Sequence, residues 1–100
     1  MDYPVTLSHS ARHDLEAIVR YISLDDPARA LAFGQFLISK TKALTQNPEL
    51  GRIVPEFGTT EIREIIVRSY RVIYRLSQTS HRIEVIRFWH AARGVPPFQT

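Results

Sequence analysis

Cysteine is absent from this 100-residue sequence, and lysine is absent from its second half. The first absence excludes disulfide scaffolds, thiolate zinc sites and cysteine nucleophiles, and it fits a reducing cytoplasm. Glycine is scarce, at four residues. None of the four belongs to a Gly-rich phosphate loop, and HExxH is missing too, so no cofactor is expected. No apolar run approaches the ~20 residues that span a bilayer, so no membrane partner is expected. The N-terminal MDYPVTLSHS has neither a basic start nor an apolar stretch and does not read as a secretory signal. What remains is the composition of a globular chain, 44% hydrophobic and 23% charged. It predicts a single domain over residues 1–100 with one modest core.

The charge is divided unevenly along the chain. Eleven Arg and two Lys face ten acids, for a formal net charge of +3. Residues 1–50 carry five basic and six acidic groups, whereas residues 51–100 carry eight Arg and four Glu. Arginine is the residue suited to planar, bidentate contact with carboxylate or phosphate. The second half is therefore the expected contact surface, for an acidic protein or a nucleic acid. A scattered set of solvated arginines explains the same numbers equally well.

Hydrophobic periodicity divides the chain in the same place. Tyr3 to Leu7 is short and alternating, with Pro4 marking an edge or a strand start. Ser8 and Ser10 offer caps to a helix whose stripe is Ala11, Leu15, Ile18, Val19 and Ile22. Asp25-Asp26-Pro27 opens a second helix with Ala30, Phe33, Leu37 and Leu44 along its apolar side, and Asn47-Pro48 ends it. Glu49 to Thr60 reads as loop. The period then changes to two in Ile62–Val67, Tyr70–Leu76 and Arg82–His90, joined by short polar turns. The breaker-rich tail, AARGVPPFQT, does not continue as a long helix. The order β-α-α-β-β-β predicts a two-layer α+β domain, a helical hairpin packed on a mainly antiparallel sheet.

Few residues point to chemistry. Ser8, His13 and Asp14 lie at a helix start, where capping accounts for them. His9 and His13 are four apart, but His9 is expected to precede the helix, and His81 and His90 are remote from both. No metal site is indicated. Alternation puts Tyr70, Val72, Tyr74 and Leu76 on the core face of the middle strand, with Arg71, Ile73 and Arg75 on the other. Arg71 and Arg75 would then form a basic sheet face, flanked by Arg63 or Arg87. The same arginines are also accounted for by cross-strand pairs with Glu64 or Glu84. Which face of the last strand joins them is open, because both of its rows mix apolar and polar residues. Trp89 and Arg93 have the composition of an interface hot spot, although an aromatic residue at a strand end is, taken alone, more commonly a core anchor. Phe88 and Trp89 must face opposite ways, so one of them lies outside the helix-covered core.

In order, the chain spells S-A-x-x-D-L-x-x-I-x-x-Y-I from Ser10 to Ile22, then Pro48-Glu49-Leu50-Gly51-Arg52 and Ile62-Arg63-Glu64-Ile65. Tyr70-Arg71-Val72-Ile73-Tyr74-Arg75 and Trp89-His90-Ala91-Ala92-Arg93 follow. This ordered set resembles the RelE/ParE superfamily of toxins from bacterial type II toxin–antitoxin modules, and it is closer to the ParE branch. The resemblance covers nearly the whole chain. It implies a cytoplasmic toxin neutralised by an antitoxin whose C-terminal segment brings acidic and apolar groups. ParE-like members are associated with inhibition of DNA gyrase, and RelE-like members with cleavage of mRNA on the ribosome.

By that resemblance Arg71 matches the family's sheet arginine and Arg93 an arginine after the last strand, while Arg63 falls near a lysine position of the nuclease branch. The catalytic set of a nuclease would be Arg63, Arg71, His90 and Arg93. The C-terminal tyrosine helix of the nuclease branch has no counterpart in GVPPFQT, and no Lys lies in residues 51–100 to serve as acid or base. The expectation is therefore a binding toxin directed at gyrase, with Arg71, Arg75, Trp89 and Arg93 as the partner-binding residues. The alternatives are a ribosome-dependent mRNA endonuclease and an inert relative that only binds antitoxin.

Overall fold

The computed structural model describes residues 2–94 and Pro96. The chain runs β1 (Val5–Leu7), α1 (His9–Ser23), α2 (Pro27–Lys42), β2 (Arg52–Ile53), β3 (Ile62–Val67), β4 (Tyr70–Ser77) and β5 (Arg82–His90). Short 3-10 turns follow at Ala43–Thr45, Pro55–Phe57 and Ala91–Arg93. The five strands form one sheet in the order β1-β5-β4-β3-β2, with β1 parallel to β5 and every other pair antiparallel. Two helices packed on this sheet make the expected α+β architecture.

Local chemistry explains the boundaries. Ser8 caps α1 by accepting from the Ala11 N–H at 3.0 Å, and Asp26 caps α2 by accepting from the Arg29 N–H at 3.1 Å. Pro27 occupies the first turn of α2, where no N–H is needed. His9 is the first residue of α1 rather than its predecessor, because Ser8 and not Ser10 is the cap. The segment expected to be all loop contains β2 and a 3-10 turn. Arg52 and Ile53 are drawn into the sheet by pairing with Glu64 and Arg63. Pro4 lies just before the edge strand, where its missing donor costs no ladder bond, and its carbonyl accepts from Ile83 N–H at 2.9 Å.

The sheet has two buried faces. On the inner face Val72, Tyr74, Leu76, Ile83, Val85 and Phe88 pack under Ala11, Ile18, Leu37 and Leu44 of the helical layer. On the outer face Val54, Ile62, Ile73 and Trp89 form a second, smaller cluster beside Phe57 and Ile86. Phe88 and Trp89 divide between the two, as alternation requires.

One irregularity sets the register of β5. Ile73 pairs with Arg87 and Tyr74 with Val85, so Ile86 is an extra residue with no partner on β4. Before this β-bulge the odd-numbered residues of β5 face inward, and after it the even-numbered ones do. The outer edge of β5 is served by β1 as far as Val85. Beyond that point α1 takes over: the Ser8 hydroxyl donates to Ile86 O at 2.8 Å, and Asp14 accepts from the Phe88 N–H at 3.1 Å.

Candidate functional site

The outer face is organised around Glu64. Its carboxylate is almost completely buried, with 1% of the side chain exposed. One oxygen accepts from Arg71 Nε at 2.5 Å. The other accepts from Arg52, at 2.8 Å from Nε and 2.6 Å from Nη2. Arg71 Nη1 donates to the Gly94 carbonyl at 2.7 Å, so it also ties down the turn that follows β5. That turn carries Arg93, whose guanidinium lies 3.8 Å from the centroid of the Trp89 ring. Arg87 lies over the same ring at 4.8 Å. Trp89 itself is buried, and its indole N–H has no partner among the described residues.

Arg71 and Arg75 share this face, as their alternation predicts, but in different circumstances. Arg71 is enclosed, whereas Arg75 is about one third exposed and pairs with Glu61 at 3.2 Å. Cross-strand register places Glu84 beside Arg75 as well. Arg87 turns to α1, where Nε and Nη2 meet the two oxygens of Asp14 at 2.7 and 2.8 Å. The hydrogen bonds to Asp14 raise the Arg87 pKa above its ordinary value, against the opposing effect of burial. Asp14, which sequence reasoning left as a capping residue, is thus the tie between α1 and β5. Only the S-A-x-x-D spacing hinted at it, since Arg87 is 73 residues away.

The remaining candidates face the other way. Arg63 is opposite Tyr74 on the inner row, and its Nη1 donates to Gly51 O at 2.9 Å. Tyr74 is fully buried; its hydroxyl donates to Pro48 O at 2.8 Å and accepts from the Gly51 N–H at 2.9 Å. The P-E-L-G-R segment is therefore pinned to the sheet by two side chains. A Cβ on Gly51 would fall 2.6 Å from Glu64 O and 2.7 Å from Tyr74 Oη, which accounts for glycine there. His90 is opposite Tyr70, with ring centroids 5.2 Å apart at an interplanar angle of 80°, and its Nδ1 accepts from the Ala92 N–H at 3.2 Å. Arg71 and Arg93 are thus together, while Arg63 and His90 lie on the opposite side of the sheet.

A separate open cleft of about 640 Å³ lies between the helical hairpin and the β3–β4 turn. Ile22, Phe33, Phe36 and Tyr70 supply apolar walls, and Arg29 and Arg68 stand at it. Arg68 has a left-handed backbone (φ 55°) and lies over Phe36 at 4.9 Å. Among the described residues, no group of three His, Asp or Glu could hold a metal ion, and no helix is long and apolar enough to cross a membrane.

A helical hairpin on a mixed five-stranded sheet, with an ion-paired arginine face and a C-terminal turn folded onto it, defines a small two-layer α+β protein. The model of the ParE toxin of type II toxin–antitoxin systems (parDE) matches residues 5–95, and the chain belongs to that family. No curated protein matches. Among solved structures, a chain of the chromosomal ParDE toxin–antitoxin system from P. aeruginosa is similar at 22% identity and a TM-score of 0.73. The likeness covers 88% of this chain and 95% of that one. A chain of the RelBE2 toxin–antitoxin complex from Mycobacterium tuberculosis is similar at 18% identity and a TM-score of 0.66, covering 90% and 99%.

Proposed function

We propose that this toxin acts by binding a protein target, with DNA gyrase as that target, and not by cutting RNA. The observation that carries the reading is the division of the four nuclease candidates. Arg63 and His90 lie on the inner side of the sheet, and Arg71 and Arg93 on the outer. A transesterification needs its acid, base and charge-stabilising groups within hydrogen-bond reach of one phosphate. Groups separated by the sheet do not meet that requirement. Arg71 is moreover engaged at Nε by Glu64 and at Nη1 by Gly94, which leaves it a structural cation. The accessible recognition groups are Arg93, over the buried Trp89, and Arg75 at the adjoining strand.

The natural antagonist is a cognate antitoxin with an acidic and apolar segment. Both solved structures described above come from toxin–antitoxin systems. The cleft walled by Phe33, Phe36 and Tyr70 and flanked by Arg29 and Arg68 has the matching chemistry: apolar surface for anchoring and guanidinium groups for carboxylates.

The test is a gyrase supercoiling assay run beside incubation with ribosomes and mRNA. Inhibited supercoiling with intact mRNA is the expected result. Ribosome-dependent cleavage abolished by Arg71→Ala would overturn the reading. Normal growth of cells making the soluble protein without antitoxin would identify an inert relative.

A further inference from the structure

We propose that Glu64 determines the specificity of the outer sheet face: by occupying Arg52 and Arg71 together, it closes that face to phosphate groups. The inference deepens the binding reading above and rests on it. A guanidinium fork suits carboxylate and phosphate alike, so whichever anion holds it decides what else it recognises. Here the anion is built in. Glu64 projects from β3 between Arg52 on β2 and Arg71 on β4, and each carboxylate oxygen is committed to one arginine. The Gly94 carbonyl takes the Nη1 side of Arg71.

The strand register makes Glu64 irreplaceable in this role. Arg63, the neighbouring residue on β3, pairs with Tyr74 on the inner row, so it cannot supply positive charge to the outer one. With the Glu64 charge removed, Arg52 and Arg71 would share the outer face with Arg93, and no buried acid would stand between the first two. Three guanidinium groups on one face, beside the buried indole of Trp89, have the chemistry that binds a nucleic-acid backbone. With Glu64 in place an incoming phosphate meets a fixed carboxylate, and it must displace a partner already held at 2.5 Å. The arginine-rich second half of the sequence is by this account mostly self-neutralised, and its surface is left to select for acidic protein groups at Arg93 and at Arg75, whose ion pair with Glu61 lies at the surface and is weakly held.

The experiment measures binding of a fluorescently labelled single-stranded RNA oligonucleotide to the full chain across a salt series, with folding checked by circular dichroism. Glu64→Gln is expected to bind at least tenfold tighter than the unmodified protein, with a log–log salt slope steeper by about 0.7 for each phosphate gained. Glu84→Gln removes the same charge at an exposed position of β5 and controls for net charge; it should produce less than a twofold gain. Equal gains in the two variants, or no gain in folded Glu64→Gln, would overturn the proposal. Should Glu64→Gln fail to fold, Arg71→Gln in the Glu64 background decides instead. Its RNA affinity should equal that of the unmodified protein, and a fall would mean that Arg71 reaches phosphate despite Glu64. Supercoiling inhibition by the unmodified protein is read separately, so failure of the target assignment and failure of the phosphate block give different results.

Discussion

Tyr74 joins the two functions of the middle strand, filling the inner core with its ring and holding the Pro48–Gly51 segment with its hydroxyl. Burial raises its pKa above 10.0, more than the Gly51 hydrogen bond and Arg63 lower it. The folded state thus favours the neutral phenol. Its contribution to stability is fully present below pH 10 and is lost as the pH rises through the higher folded-state value. Burial, with Tyr21 as a second cause, also raises Tyr70, which adds to the same alkaline loss. Tyr74→Phe should cost about 1–3 kcal/mol at neutral pH, because the buried Gly51 N–H loses its acceptor. It should also make the fall in melting temperature between pH 9 and 12 shallower without abolishing it. Thermal melts at several pH values check both expectations. Tyr74 was legible as a core residue from alternation alone; its hydroxyl contacts were not, since they reach back 23 and 26 residues to a loop.

Among the elements, α1 and β5 are held together by a tie that neither element reveals by itself. Asp14 accepts two bonds from Arg87 and one from the Phe88 backbone, at a place where β5 has run out of strand partner on the β1 side. Asp14→Ala would leave a mostly buried guanidinium and a backbone N–H unpaired together. The expected cost is about 3 kcal/mol, read as a lower urea midpoint with unchanged slope. The mixed polar and apolar rows of β5 also become intelligible at this scale. The bulge at Ile86 exchanges the two faces halfway along the strand, so no single alternation fits all nine residues. The same limit applies to β2, whose two residues carry no period and belong to the sheet only through their pairing with β3.

For the molecule as a whole, the basic second half does not make a uniformly basic surface. Arg52, Arg71, Arg75 and Arg87 each meet an acid, whereas Arg93 is exposed and lies over Trp89. Arg93→Ala is therefore expected to lower affinity for a protein partner about tenfold, chiefly by faster dissociation. Its melting temperature should change by only a few degrees, because an exposed side chain is removed. Titration calorimetry against purified DNA gyrase, the proposed target, alongside thermal melts, separates the two effects. A variant that lost stability and affinity in parallel would assign Arg93 to the fold instead of the interface.

The order of the two helices and the four longer strands, the polar residues that start each helix and the division of β4 into an inner and an outer row were determined by the sequence alone. Each depends on residues within a few positions of one another, through a period of two or 3.6 or through a cap. Tertiary structure alone decided which arginines stay available. Ion pairs form between residues brought together by strand pairing, as Arg71 and Arg52 are on either side of Glu64, or by helix docking, as Arg87 is against Asp14. The sequence counted the positive charges of the second half. Only the fold, by enclosing a carboxylate between two of them, determined how few would face a partner.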